Sequence, residues 1–244
     1  MIDRQKRPRA WLKAVYRPHT SLITQVADGA VRPQDGPTAE PFTSAVSCSA
    51  VVVDMLHYLA PAPDDTALEI GTGSGYSTAL LARRVRPENI VTVEIDEQLA
   101  VRARQALAGL GVFPTVVAGD GELGHPARAP YLRIISTAAV REIPQAWLDQ
   151  AAPGAVLVTP LYGPFGHDGL LRLVADGQGG GEGRLVSGVA FMKVRGQRGE
   201  RSFAELGWPT VEGPWPAYGD VVYQVRIHAG RQEIRILENS SGPA

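Results

Sequence analysis

The sequence predicts an α/β fold built on a mostly parallel sheet, with an antiparallel hairpin at its C-terminal edge. Three observations predict it. Between residues 47 and 159, short apolar runs of strand length alternate with segments of helical periodicity, the pattern of strands joined by crossover helices. The first of these strands opens into a glycine loop, Gly71-Thr72-Gly73-Ser74-Gly75. After Pro160 the helical signal fades and strand-like runs follow one another across a glycine-rich turn.

The elements follow in order. Residues 1–42 read as an irregular N-terminal, substrate-side segment, with a short helix at Trp11–Tyr16, a strand at Ser21–Val26 and a proline-rich loop at Arg32–Pro41. Residues 43–197 carry the tight pattern. Ser47 and Ser49 are candidate N-caps for a helix over Ala50–Leu59, ended by Pro61 and Pro63. Thr66–Ile70 reads as a buried strand, Tyr76–Val85 as a helix, Ile90–Ile95 as a second strand and Glu97–Leu110 as a helix closed by Gly111. Thr115–Ala118, Leu132–Ser136 and Val156–Thr159 complete the parallel set, with a short helix at Pro144–Gln150. Leu170–Ala175 and Leu185–Met192 flank the turn Gly177–Gly183. Residues 198–244 form a Trp- and Pro-rich extension with two further strands, Val221–Ile227 and Glu233–Leu237.

Composition excludes several classes. A chain of 244 residues with 44% apolar content can bury a full core. A net charge of −1 argues against a general nucleic-acid or membrane-surface binder. No stretch of ~18 apolar residues predicts a membrane span, and no apolar run after the charged N-terminus predicts a secretory signal. One cysteine, Cys48, makes no disulfide framework and points to a cytoplasmic location. His19, His57, His125, His167 and His228 show no metal-ligand spacing, so no metal is expected. Only three of the 24 basic residues are lysines, the bias of a GC-rich bacterial genome. A monomer is expected.

The glycine loop carries the chemistry. Ligands of a doubly wound sheet bind outside the carboxyl ends of its central strands, where Gly71, Gly73 and Gly75 lie. Glu94 follows 19 residues after Gly75, at the end of the next strand, where a carboxylate can accept both ribose hydroxyls of an adenosine. A loop of this kind fits a dinucleotide as well as S-adenosylmethionine. Two acids favour the latter. Glu69 suits the cationic methionine end of that cofactor, and Asp120, in Gly119-Asp120-Gly121, can reach an adenine edge. Taken singly, each of these residues reads equally well as a loop glycine or a solvated acid.

Leu68 to Tyr76, Val93-Glu94-Ile95-Asp96, Gly119-Asp120-Gly121 and Pro130 to Ala139 resemble the protein-L-isoaspartate O-methyltransferases in order and spacing. Glu142-Ile143-Pro144 and Pro153-Gly154 extend the resemblance, which covers roughly residues 42–197. It implies a Rossmann-like class I methyltransferase fold and S-adenosylmethionine as cofactor, leaving as S-adenosylhomocysteine. The acceptor it implies is an aspartyl or isoaspartyl carboxylate of a peptide or protein. On that resemblance Val46, Ser47, Glu69, Gly71, Thr72, Gly73, Ser74, Gly75, Tyr76, Glu94, Ile95, Asp120 and Gly121 are the cofactor-binding set. Ser47 matches the active-site serine, and Ser47, Thr137, Ala138 and Arg195 are the substrate-side candidates. The carboxylate oxygen attacks the sulfonium methyl in line, with no general base, because a carboxylate of reference pKa ~4 is already ionised. The resemblance further implies that the neighbouring backbone nitrogen attacks the methyl ester, closing a succinimide and releasing methanol.

Three departures stand against the family pattern. Ser49 replaces a proline after the serine, Leu132 replaces an aspartate, and Lys193 replaces a proline in Phe191-Met192-Lys193-Val194-Arg195. With the extension after residue 197, they favour tailoring of a ribosomal peptide natural product (a lasso peptide, lanthipeptide or graspetide) through an aspartimide. The alternative is repair of isoaspartate in damaged proteins. A lesser one is a non-catalytic cofactor-binding module that recruits a partner through Trp208-Pro209 and Trp215-Pro216.

Overall fold

The computed structural model describes residues 4–32, 35–36, 38–199, 201–218 and 220–239. Three positions of the predicted loop Arg32–Pro41 (33, 34 and 37) and the first three residues of the chain lie outside that description. Among the described residues nine strands form one sheet, whose order from edge to edge by first residue is 231, 221, 181, 168, 151, 131, 67, 90 and 115. Its parallel half is β3 (Ala67–Ile70), β4 (Ile90–Glu94), β5 (Thr115–Ala118), β6 (Tyr131–Ser136) and β7 (Ala151–Tyr162). Every residue of β3 and β4 is buried, as expected of strands covered on both faces. The antiparallel half adds β8 (Asp168–Ala175), β9 (Gly181–Val189), β10 (Val221–His228) and β11 (Arg231–Glu238).

The helices pack where their apolar stripes direct them. On α2 (Ser49–Leu59), Met55 and Leu59 are buried in one cluster with Leu81, Ile135 and Val158. α3 (Tyr76–Leu81) follows the glycine loop, α4 (Glu97–Ala108) joins β4 to β5, and α5 (Gln145–Asp149) precedes β7. α1 (Pro8–Val15) begins three residues before its predicted start, with Pro8 in its first turn, where a missing N–H costs nothing. It buries no residue.

Several predicted boundaries are corrected. α3 stops at Leu81 rather than Val85, although Val85 remains buried. β7 runs over twelve residues rather than four, pairing with β6 on one side and β8 on the other. β9 begins at Gly181 rather than Leu185. The reason is close backbone approach: a Cβ on Gly183 would stand 2.1 Å from the Arg172 carbonyl oxygen, so glycine belongs inside this strand. The turn before it is held by Asp176, whose Oδ1 accepts the N–H groups of Gln178 and Gly180.

The segment after residue 197 belongs to the main core. Leu206, Trp208, Tyr223, Val225, Ile227 and Ile234 are buried in the same cluster as Leu68 and Ile134. Trp208 is 3% exposed, and Trp208 and Trp215 pack edge-on against Phe165. The aromatic side chains of this segment are spent on packing, which removes the surface that the partner-recruiting expectation required.

The N-terminal segment forms a separate two-stranded sheet, β1 (Leu22–Val26) with β2 (Phe42–Val46). The expected division at residue 42/43 falls on the first residues of β2.

Candidate active site

The carboxyl ends of β3, β4 and β6 open into a cleft of about 890 Å³, counting its open mouth. The residues Val46, Ser47, Gly71, Thr72, Gly73, Ser74, Tyr76, Glu94, Ile95, Asp120, Gly121, Thr137, Ala138 and Arg195 all line it. Fourteen of the sixteen residues expected at the site are thus brought together from six stretches of chain.

The floor is a set of strand-end turns locked to each other. Gly71 (φ +88°) and Gly73 (φ +54°) turn the chain out of β3 in the left-handed region that favours glycine. A Cβ on Gly71 would meet Thr137 Oγ1 at 2.6 Å. A Cβ on Gly73 would instead reach toward Ser44 Oγ at 3.7 Å, across the gap between the loop and β2. Glu94 Oε2 accepts the Gly73 N–H at 2.7 Å, and Oε1 accepts the Asp96 N–H at 3.1 Å. Both oxygens keep a lone pair for a ligand. Asp120 Oδ1 accepts the Glu122 N–H at 2.9 Å, which shapes the turn at Gly121. Trp147 Nε1 donates to the Gly121 carbonyl from below.

Two expected cofactor residues stand outside the cleft. Gly75 packs against Leu107 and serves the fold of the loop. Glu69 points behind the loop, fully buried, with Oε2 accepting from Thr78 Oγ1 and Thr92 Oγ1. Burial pushes its carboxyl well above the ordinary range, against the hydroxyls that lower it. The Thr72 hydroxyl meets Thr92 Oγ1 at 2.7 Å, so Glu69 anchors the loop through Thr92 rather than facing a ligand.

The substrate side is also redrawn. Thr137 and Ala138 line the cleft, but their backbone N–H groups are already used. Thr137 donates to the Ile70 carbonyl, and Ala138 to Ser136 Oγ. The Thr137 hydroxyl donates to the Gly71 carbonyl at 2.6 Å. These groups brace the glycine loop and leave no amide free for a peptide. Ser47 behaves differently. The N-cap of α2 is Cys48, and neither Ser47 nor Ser49 caps the helix with its side chain. The Ser47 hydroxyl has no structural duty at the helix end and lines the cleft.

Residues beyond the expected set complete the walls. Thr43, Ser44 and Ala45 of β2 cover one side, and Met192, Lys193, Val194 and Arg198 another. The run Phe42-Thr43-Ser44-Ala45-Val46 has no polar-apolar alternation to mark it as a strand, and its pairing with β1 across the intervening loop is not a local property. Segment 192–194 is docked by hydrogen bonds between Ala139 and the backbone of Met192 and Val194. The covering hairpin is tied down by charge. Arg195 Nε lies 3.1 Å from Asp28 Oδ1, and Arg198 Nη1 2.7 Å from Asp28 Oδ2. Gln25 Nε2 donates to Asp96 Oδ2 at 2.9 Å. Hydrogen bonds from Arg198, helped by Arg195, hold the Asp28 carboxyl below the usual range. Burial alone would raise Asp96, but hydrogen bonds from Gln25 and the α4 backbone outweigh it and hold that group low as well.

Comparison with known proteins gives this arrangement a family. Residues 33–199 match the family described as Protein-L-isoaspartate(D-aspartate) O-methyltransferase. A protein-L-isoaspartate O-methyltransferase of Methanoculleus marisnigri is 42% identical over 159 residues, 63% of this chain and 69% of that one. Across such curated relatives the aligned part spans 56% to 69% of the relative's own length. A solved protein-L-isoaspartate O-methyltransferase superposes with a TM-score of 0.59 at 17% identity, over 91% of this chain and 75% of that one. A Plasmodium falciparum enzyme of the same name, in complex with S-adenosyl-L-homocysteine, gives a TM-score of 0.53 at 16% identity, over 66% of this chain and 80% of its own. At those identities the superpositions establish the shared fold. The family match over more than half of the chain establishes more: this protein belongs to the protein-L-isoaspartate(D-aspartate) O-methyltransferase family.

Proposed function

We propose that this chain is an S-adenosylmethionine-dependent carboxyl O-methyltransferase whose acceptor is the free carboxylate of an isoaspartyl residue in a protein or peptide. The observation that carries the reading is Ser47, a hydroxyl with no capping role that lines the same cleft as Glu94 and the glycine loop.

The cleft residues fit the cofactor. Glu94 would hold the ribose with its remaining acceptor capacity, the Asp120-Gly121 turn would meet the adenine edge, and Gly71 to Ser74 would flank the amino-acid end. S-adenosylmethionine, when bound, supplies an electrophilic methyl group. Ser47 would donate a hydrogen bond to the acceptor carboxylate and fix its direction. No residue has to remove a proton, since a carboxylate with reference pKa ~4 is ionised at neutral pH. The contribution of the chain is therefore orientation and exclusion of water, with the β1–β2 hairpin and segment 192–198 as walls.

Repair of isoaspartate replaces natural-product tailoring as the favoured reading. The matched relatives bear the isoaspartate name. Two of the three departures behind the tailoring expectation also lie away from the chemistry. Leu132 is 36% exposed on β6, and Ser49 is the first residue of α2; neither lines the cleft. β10 and β11 extend the sheet beyond β9, on the side away from β3 and β4. Lys193 alone faces the site.

The test uses two hexapeptides identical except for aspartate or isoaspartate at one position, incubated with S-adenosylmethionine and followed by mass spectrometry. The isoaspartyl peptide should gain one methyl group and then lose methanol. Methylation of the aspartyl peptide in preference, or of neither, would overturn the proposal.

A further inference from the structure

The cleft is divided by charge. Glu94, Asp120 and Glu122 line it from the ends of the parallel strands, while Lys193, Arg195 and Arg198 line it from the segment after β9. The acidic side suits the cofactor described above. Three cations exceed what a single acceptor carboxylate, already directed by Ser47, requires.

The cationic side already holds two carboxylates of the chain itself: Asp96, 3.5 Å from Arg195 Nη2, and, more closely, Asp28. Asp28 accepts from Arg198 Nη1 at 2.7 Å and Nη2 at 3.1 Å, one bond to each oxygen, in the fork geometry that guanidinium offers a carboxylate. Arg195 Nε adds a third contact at 3.1 Å. The turn that presents Asp28 is poor backbone for these residues: Ala27 and Asp28 lie at φ +48° and +50°. The side chains of Asp28, Arg195 and Arg198 are 38%, 31% and 39% exposed, so the contact is open to solvent and of modest strength. Lys193 lines the same side of the cleft, with its ammonium 4.0 Å from the centroid of the Tyr162 ring and its charge acting on the Asp168 carboxyl.

We propose that Arg195 and Arg198, with Lys193 beside them, are specificity-determining residues that take an acidic side chain next to the acceptor residue, and that Asp28 occupies their place until the peptide displaces it. The inference rests on the carboxyl-methylation reading above. A planar carboxylate is the chemistry the fork selects, and a peptide can supply one from a side chain or from its C-terminus.

The test separates those sources by using N-acetylated, C-amidated isoaspartyl hexapeptides. One series carries Glu, Gln or Lys just after the isoaspartate, and a second carries them just before it. In at least one series kcat/KM should rank Glu above Gln above Lys, by roughly fivefold per step and mainly through KM. Asp28→Asn should widen the preference by lowering KM for the Glu peptide. Arg198→Gln should flatten it while the melting temperature stays within about 2 °C, as expected for an exposed ion pair. Equal kcat/KM for Glu, Gln and Lys in both series, or full preference retained in Arg198→Gln, would overturn the inference. Turnover of the Gln peptides without discrimination would leave the methylation reading standing. Absence of turnover on all six would remove that reading, and this one with it.

Discussion

The Glu94 carboxylate accepts the backbone N–H of Gly73 at 2.7 Å, which makes the acid at the end of β4 and the loop after β3 a single unit. A change at Glu94 therefore acts on loop shape as well as on ligand contact. Glu94→Gln places an NH₂ group against one of two backbone donors, Gly73 N–H or Asp96 N–H. Binding of S-adenosylmethionine, read by calorimetry, should weaken about 10-fold to 100-fold, the range for a lost charge-assisted hydrogen bond. Affinity within twofold of the parent would show that the carboxylate does not face the cofactor.

Ser47 offers a clean separation of activity from stability. Because it does not cap α2, Ser47→Ala should change unfolding free energy by less than about 0.5 kcal/mol. A lost cap would cost about 1 kcal/mol. Turnover of an isoaspartyl peptide should nevertheless fall at least about tenfold. Activity and stability falling together would assign Ser47 to the fold.

Glu69 should reveal itself through pH. Its carboxyl is raised by burial, so the folded state holds its proton at pH values where the unfolded state has released it. Stability from this group is then present below the ordinary carboxylate range and lost as pH rises through the folded value. Glu69→Gln removes that dependence while keeping the shape. The melting temperature of the variant relative to the parent should climb as pH is raised from about 5 to 8. A difference independent of pH would show that Glu69 titrates normally.

The C-terminal strands should prove indispensable to folding. Trp208→Ala empties a site that is 3% exposed and packed against Phe165 and Trp215, at an expected cost of about 3–5 kcal/mol in denaturant unfolding. Truncation after Gly199 removes β10 and β11 and uncovers the pairing edge of β9. Such a chain should be insoluble. A soluble, cooperatively melting truncate would show that residues 200–244 form an independent addition.

Much of this architecture was legible in the sequence because its signals are local. Gly71, Gly73, Glu94 and Asp120 sit at strand ends, and strand ends in an alternating α/β pattern converge on one edge of the sheet. What was not legible depended on direction or distance. Glu69 lies in a run buried on both faces, so no polar alternation showed that its side chain turns toward Thr78 and Thr92. Gly181 and Gly183 read as turn residues because their reason for being glycine is the backbone of β8, which only the pairing supplies. Asp28 and Arg198 are 170 positions apart, and nothing near either predicts their contact. Ser47 and Ser49 carried a capping signal that α2 does not use, since its N-cap is Cys48.

Cys48, the cap residue of α2, adjoins Ser47 and is half-buried. It is also the one cysteine in the chain. A thiol-reactive fluorophore or spin label would therefore attach at a single position beside the cleft without any background to engineer away. Signals from that probe would report directly on ligand arrival and on separation of the β1–β2 hairpin from segment 192–198, making the natural sequence its own biosensor.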